Sequence, residues 1–411
     1  MTEIAEAPAA TPVGGGRPRS SLLVPGLAVT QTVGYGVLFY AFAVLLTPIA
    51  ADLNASTAAV TGALTTAIVV SAAAAIPVGR WLDRHGGRAL MTAGSLLGVV
   101  AVLAWSQVQH LWHLYTVFVL IGLAGSASLY EAAFPVVIAA IGPARRDQAL
   151  LVVTIVAGFA SSIFFPLTGL LLEHFGWRST LLALAALLAV ITIPMHAALV
   201  PGRAQVHDRR PFHVGGSDVR GALRDNRFWL LTIAFVAQAA AVSSVGVLLI
   251  NYLRLAGHST TVAASVSGLL GLLSVTGRLV TTGAARRLGM TSVTAAIFAV
   301  QALGLLALPH LGRTTGGAVA CVVAFGLGFG VATIARPAIV ADRYGTARYA
   351  TIAAGMTLPI TLAKAFSPLA GAAIAPNTFV TAAGVSCLTS SMLLWTVREG
   401  RRPTWVTAST R

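Results

Sequence analysis

Apolar positions fill this chain in long uninterrupted runs, and polar positions gather in short bursts between them. Twelve runs can be drawn, at 22–50, 58–78, 90–106, 114–141, 149–172 and 180–199, then at 228–250, 261–281, 291–308, 316–340, 349–373 and 378–395. Most approach the ~20 residues with which a helix crosses ~30 Å of hydrocarbon. The strict alternation of a barrel strand is absent, so the runs predict membrane helices. The longest polar stretch, 201–227, bisects the chain and leaves six runs on either side. The pattern therefore predicts a tail at 1–20, a six-helix bundle at 21–200, a cytoplasmic central loop at 201–227, a second six-helix bundle at 228–397 and a tail at 398–411. Residues 1–20 lack an apolar core. They read as a disordered cytoplasmic tail rather than a cleavable signal, with the first run acting as the insertion signal.

Composition agrees with the pattern. Hydrophobic residues make up 56% of the chain and charged residues 9%, where a soluble domain carries roughly a quarter charged. Mean hydropathy is +0.84. The net charge of +15 reflects where the arginines lie. Twenty-one of the 27 basic residues fall on the segments that share a side with the termini, and three (Arg178, Arg254, Arg313) fall on the opposite side. Cationic loops resist translocation, so this split predicts a cell-membrane protein with both termini cytoplasmic. The basic loops lack aromatic interleaving and a domain that could hold a duplex, which argues against nucleic acid. Anionic membrane lipids are the expected neighbours. Cys321 and Cys387 both lie inside apolar runs, so no disulfide framework is implied.

Two sequence strings repeat between the halves. Gly79-Arg80-Trp81-Leu82-Asp83-Arg84-His85-Gly86-Gly87-Arg88 follows the second run, and Gly283-Ala284-Ala285-Arg286-Arg287-Leu288-Gly289 follows the eighth, 204 residues later. Pro166-Leu167-Thr168-Gly169 recurs as Pro368-Leu369-Ala370-Gly371 at an offset of 202. Two near-equal offsets argue for duplication. The first string resembles the G-x-x-x-D-R-x-G-R-R loop of the major facilitator superfamily, and the second resembles the same loop of its C-terminal half, with Arg286 at the acidic position. Glycines suit tight turns where helices end, and Gly79, Asp83, Arg84 and Arg88 suit a gating loop whose Asp–Arg core pairs across a closing gate. The resemblance implies an all-α membrane fold of twelve transmembrane helices in two pseudo-symmetric six-helix bundles. It also implies a substrate site between them near the midplane and function as a monomer.

An ionisable residue inside a span is costly and is a functional candidate by default. Four occur: Glu131 in span 4, Arg278 in span 8, Arg336 in span 10 and Lys364, the sole lysine, in span 11. In the family that the chain resembles, spans 1, 4, 7 and 10 line the cavity and spans 2, 5, 8 and 11 form the interface between halves. Glu131 lies ten residues from the end of its run, roughly 15 Å along the helix. A carboxyl so far from bulk water can exchange protons, or it can pair statically with Arg336, which occupies nearly the matching place in the second half. Lys364 is nine residues from its span's end, too deep to reach the interface easily. Arg278 and Arg336 lie three and four residues from the inner ends drawn above, where snorkelling is the alternative to a site role. The cations of spans 8 and 11 resemble those with which the oxalate/formate antiporter and monocarboxylate transporter branch binds a substrate carboxylate, which implies substrate-binding roles for Arg278 and Lys364. Ser274 stands where eukaryotic members of that branch carry an Asp. Gln31 and Tyr35, one turn apart, and Tyr130 beside Glu131 complete the candidate set, with helix packing as the alternative reading of each.

Other chemistry is missing from the sequence. The single lysine, between Ala363 and Ala365, leaves no phosphate-binding G-K-[ST]. No catalytic triad or paired carboxylates are visible, so no enzyme, cofactor or resident metal is expected. His110 and His113 are close in sequence, but they border an outer loop beside Trp112, where an interfacial role is expected. The glycine-rich span 5 string of drug/proton antiporters is reduced to Phe165-Pro166-Leu167-Thr168-Gly169. The expectation is a secondary transporter of a small, monocarboxylate-like organic anion, by proton coupling or anion exchange. Efflux of drugs, metabolites or a metalloid species is the alternative.

Overall fold

The computed structural model describes residues 17–141, 143–202, 225–344 and 349–398, so Arg203, Arg209, Arg210, Arg220 and Arg224 of the central loop lie outside the described residues. Helices account for nearly everything else. Among the described residues nine helical segments are long and apolar enough to cross a membrane. One of them, Gln148–Leu199, is two spans joined at Gly176, whose φ of 72° breaks the helix between spans 5 and 6. Adding the shorter Thr315–Gly326 and Ala332–Tyr344, which together form span 10, and Tyr349–Ala372 as span 11 gives the twelve expected. The remaining spans are Leu22–Asp52, Thr57–Leu82, Arg88–Ser106 and Leu111–Ala140 (1–4), Asn226–Leu255, Thr260–Leu288 and Met290–Leu311 (7–9) and Pro376–Val397 (12). Side chains such as Ile76, Val190 and Leu303 stay 65%, 73% and 67% exposed, an apolar exterior suited to lipid and not to water.

Sequence sets the ends of these helices in matching ways in the two halves. Ser56 accepts from the Ala59 N–H at the start of span 2, and Ser259 accepts from the Val262 N–H at the start of span 8. Each satisfies one of the backbone donors that a helix start leaves open. At the other ends, Gly86 (φ 77°) and Gly289 (φ 79°) stop the same two spans in the left-handed region, where a Cβ would be strained. These are the glycines of the repeated string. That string is shorter as a loop than the sequence suggested: helix continues through His85 and resumes at Arg88. Gly79, Asp83 and Arg84 therefore ride the last turns of span 2, and only Gly86 and Gly87 make the turn.

Three spans depart from continuous α-helix in ways that apolar periodicity could not reveal. Span 1 carries a π-helical turn at Gly36–Tyr40. Span 4 breaks at Leu129 (φ −96°, ψ −154°), between Leu111–Ser128 and Tyr130–Ala140. Span 10 breaks between Gly326 and Ala332. A break inside a membrane frees backbone groups that must find partners within the protein. Buried glutamines supply them. Gln31 Nε2 donates to the Ser128 carbonyl at 2.9 Å, Gln301 Nε2 donates to the Phe325 carbonyl at 2.7 Å, and Gln238 Nε2 donates to Gln301 Oε1 at 2.6 Å. Gln31 in span 1 and Gln238 in span 7 thus serve equivalent breaks in the two halves.

The halves meet through five hydrogen bonds among the described residues. Thr47 Oγ1 donates to Asn251 Oδ1 (3.0 Å) and Thr65 Oγ1 to the Ala365 carbonyl (2.8 Å). Ser162 Oγ donates to the Gly268 carbonyl (2.6 Å) and accepts from the Leu272 N–H (2.8 Å). Glu173 Oε1 accepts from the Thr261 N–H at 2.8 Å. All five lie midway along the spans or toward the side opposite the termini, so the protein is closed on that side.

Candidate functional site

The four intramembrane charges fall into local settings: Lys364 lies near Arg336, while Arg278 and Glu131 each lie near Tyr130. Lys364 sits where spans 2, 7 and 11 meet: its carbonyl accepts from Ser243 Oγ of span 7, and the next carbonyl is the one bonded by Thr65 of span 2. Leu358, Leu362 and Phe366, four residues apart and 66%, 46% and 49% exposed, mark the lipid face of span 11. Lys364 is two residues past Leu362, on the opposite face of the helix, and is itself solvent-accessible. Its charge therefore opens inward, within electrostatic range of Arg336. Arg336 is half-buried, in the second half of the broken span 10.

Arg278 is fixed from two sides. Its Nε donates to the Gly330 carbonyl, which also accepts from Thr333 in the span 10 break, and its Nη2 donates to Ser274 Oγ, both at 3.2 Å. Ser274, at the position of the missing Asp, thus orients the guanidinium without neutralising it. Nη1 has no hydrogen bond among the described residues and points toward Gly158 of span 5. Helix continues past both drawn ends, to Leu288 beyond Arg278 and to Tyr344 beyond Arg336.

The facing surface belongs to spans 1 and 4. Tyr35 and Tyr130 pack with ring centroids 4.7 Å apart, Tyr130 stacks on Phe134 at 4.6 Å, and Tyr35 contacts Phe39 at 5.9 Å. Tyr40, which the sequence reading did not single out, ends the π-helical turn and meets Phe165 edge-on at 5.3 Å. A π-turn adds a residue to the helix and re-aims the side chains after it, so the signal was the glycine pair Gly34 and Gly36 and not a spacing. Arg278 lies within electrostatic range of Tyr40 and Tyr130. Glu131 lies within range of Tyr35 and Tyr130, and occupies the first turn of the helix that restarts after Leu129.

Two expected partnerships differ from the structure, and the gating pair lies partly outside the described residues. Glu131 and Arg336 make no ion pair in this conformation; on the closed side Arg178 pairs with Asp52 at 2.8 Å. Gln31 is fully buried and committed to Ser128, so it does not share the accessible face of Tyr35. Of the gating-loop residues, Arg88 donates from Nε to the Val200 carbonyl at 2.9 Å, closing the end of span 6 in its own half. Arg84 is exposed, Gly79 has open space around it, and the Asp83 side chain lies outside the described residues.

Comparison with known proteins agrees with this architecture. Residues 28–368 match the family model of the Major Facilitator Superfamily. Among curated proteins none matches the chain. The fold is similar to that of a bacterial homologue of the human lysosomal transporter Spinster in an inward-facing, occupied conformation, at 14% identity and a TM-score of 0.73, covering 93% of this chain and 98% of that one. It is likewise similar to the nucleoside transporter NupG, at 13% identity and a TM-score of 0.74, covering 92% of this chain and all of that one. At such identities the likeness speaks for the fold alone. The matched family spans most of the twelve-helix architecture, and the chain belongs to the Major Facilitator Superfamily of alternating-access transporters.

Proposed function

We propose that this transporter carries a small organic anion across the cell membrane, with both termini cytoplasmic and the described conformation facing inward. Under this reading the chain works as a monomer and resembles the monocarboxylate and oxalate/formate branch of its superfamily. One observation carries the reading. Arg278, Arg336 and Lys364 lie on spans 8, 10 and 11 of one half, and none has a carboxylate ion-pair partner among the described residues. A single cation within a bilayer costs about 2.5–3.5 kcal/mol on the insertion scale, so three without a carboxylate partner support a role in binding an anion. The free Nη1 edge of Arg278 suits a carboxylate, as a fork of two parallel donors does. Glu131 is then the proton-coupling group, since its carboxyl lies beside the site without neutralising it.

The test is transport by purified protein in liposomes. Counterflow of labelled carboxylates should exceed that of lipophilic cations, and Lys364→Ala and Arg278→Ala should each lower it by roughly ten- to more than a hundredfold, the value of one charge-assisted bond of about 1.5–3 kcal/mol. Cation or neutral-drug counterflow that survives both substitutions would replace this reading with drug efflux.

A further inference from the structure

The two walls of the site differ in chemistry, and the difference specifies the non-ionic part of the substrate. The C-terminal half contributes the cations. The N-terminal half contributes aromatic surface: three of the chain's seven tyrosines, Tyr35, Tyr40 and Tyr130, together with Phe39 and Phe134, all on spans 1 and 4. Each of these five residues is half-buried, packed at the edge of the core and not closed within it. By contrast, the aromatic cluster that does serve packing in this half, Phe42, Trp105 and Phe118, is fully buried with edge-on contacts at 4.9 and 5.2 Å. The accessible rings follow irregular backbone: Tyr35 and Tyr40 flank and end the π-turn, and Tyr130 begins the restarted half of span 4. Both irregularities aim rings at the space that Arg278 faces, since Arg278 lies near Tyr40 and Tyr130. A compact acid would leave this surface wetted and unused.

We propose that the substrate is an aryl carboxylate, its carboxylate on the cationic wall and its ring stacked on the Tyr35–Tyr130–Phe134 surface. This rests on the anion reading above and narrows it. Aromatic pairs prefer offset or edge-on contact and gain attraction beyond the area they bury, because ring faces are negative and ring edges positive. A saturated ring of similar volume keeps the burial and the charge but loses that term. The discriminating pair is therefore benzoate and cyclohexanecarboxylate, with lactate as the compact acid.

Binding of radiolabelled benzoate to detergent-purified protein, competed by each unlabelled acid, reads the preference directly. Benzoate should compete about 2- to 12-fold better than cyclohexanecarboxylate, the range aromatic pairing supports, and lactate more weakly than either. Tyr130→Leu should bring the first two acids together, and Tyr130→Phe should keep them apart. If Tyr130→Leu does not yield a monodisperse protein, Tyr35→Leu makes the same comparison. Equal competition by benzoate and cyclohexanecarboxylate in the unaltered protein, or an undiminished preference in a folded Leu variant, would overturn the inference while leaving the anion reading intact. Failure of every carboxylate to bind, with a neutral or cationic solute bound instead, would overturn both.

Discussion

Two glycines six residues apart on span 8 should respond oppositely to alanine, and the difference measures how tightly the cationic wall is built. At Gly277 an added Cβ runs into the Leu327 carbonyl oxygen of the span 10 break, with the carbonyl carbon at 2.7 Å and its Cα at 3.3 Å. Restoring ordinary contact at that carbon alone, about 3.4 Å, moves the two backbones apart by about 0.7 Å, and the nearer oxygen demands at least that much. Arg278 is the next residue, and its Nε reaches the Gly330 carbonyl at 3.2 Å, so the same shift stretches that bond to roughly 3.9 Å, beyond hydrogen-bonding range. Overpacking costs about 1–3 kcal/mol and the lost bond about 0.5–1.5 kcal/mol. At Gly283 an added Cβ meets nothing within 4 Å, and the residue lies inside the helix. Alanine there should stabilise by about 0.5–1 kcal/mol through its helix preference. Thermal unfolding of the two detergent-purified variants compares them directly: Gly277→Ala should melt below the unaltered protein and bind anions more weakly, and Gly283→Ala should melt at or above it. Equal melting temperatures would show that spans 8 and 10 are not in this contact, and would undo the placement of Arg278.

Glu131→Gln should leave substrate exchange active and abolish the response of uptake to an imposed pH gradient, both measured in the same vesicles; an active variant with unchanged pH response removes Glu131 from coupling. Gln31→Leu and Gln238→Leu should each destabilise the protein by about 1–3 kcal/mol in thermal unfolding, since each strands a buried hydrogen-bonding group at a helix break; unchanged melting in either would show that the break is satisfied some other way. Glu173→Ala and Asn251→Ala remove cross-half bonds on the closed side, so cysteines placed on that side should become more reactive to impermeant reagent; unchanged labelling would mean that packing alone holds the closure.

Much of the fold was legible because its signals are large and periodic. Runs of about twenty apolar residues, a charge split between loops and a string repeated at a fixed offset each follow from bilayer thickness or gene duplication, and neither depends on fine geometry. The four intramembrane charges were legible for the same reason, as rare residues in a costly place. What stayed hidden depends on a few degrees of backbone. Nothing in the small residues Ser126, Ala127 and Ser128 announces that the following Leu129 is extended, and no spacing places Tyr40 near Arg278 until a π-turn has re-aimed it. Gln31 departs from its expected role for an instructive reason. A polar side chain in a cavity-lining helix can face the cavity or mend a neighbour's backbone, and sequence alone cannot tell the two apart when the break it mends is itself invisible.

The repeat explains a further asymmetry. The parts shared by the halves are those that let two bundles rock as bodies: serine caps on spans 2 and 8, left-handed glycines that end them, and glutamines that hold the breaks of spans 4 and 10. The parts not shared are the side chains that face each other across the centre, tyrosines and a carboxylate from one half and three cations from the other. Duplication supplies a symmetric hinge, and a symmetric pair of walls would present like groups to both ends of a solute. Divergence of the walls is what allows an asymmetric molecule, charged at one end and apolar at the other, to be held in one orientation. The mechanical elements stay constrained by packing, as the Gly277–Leu327 contact shows, while under the proposed function residues such as Ser274, which orients Arg278 without pairing its charge, would be free to set what is carried.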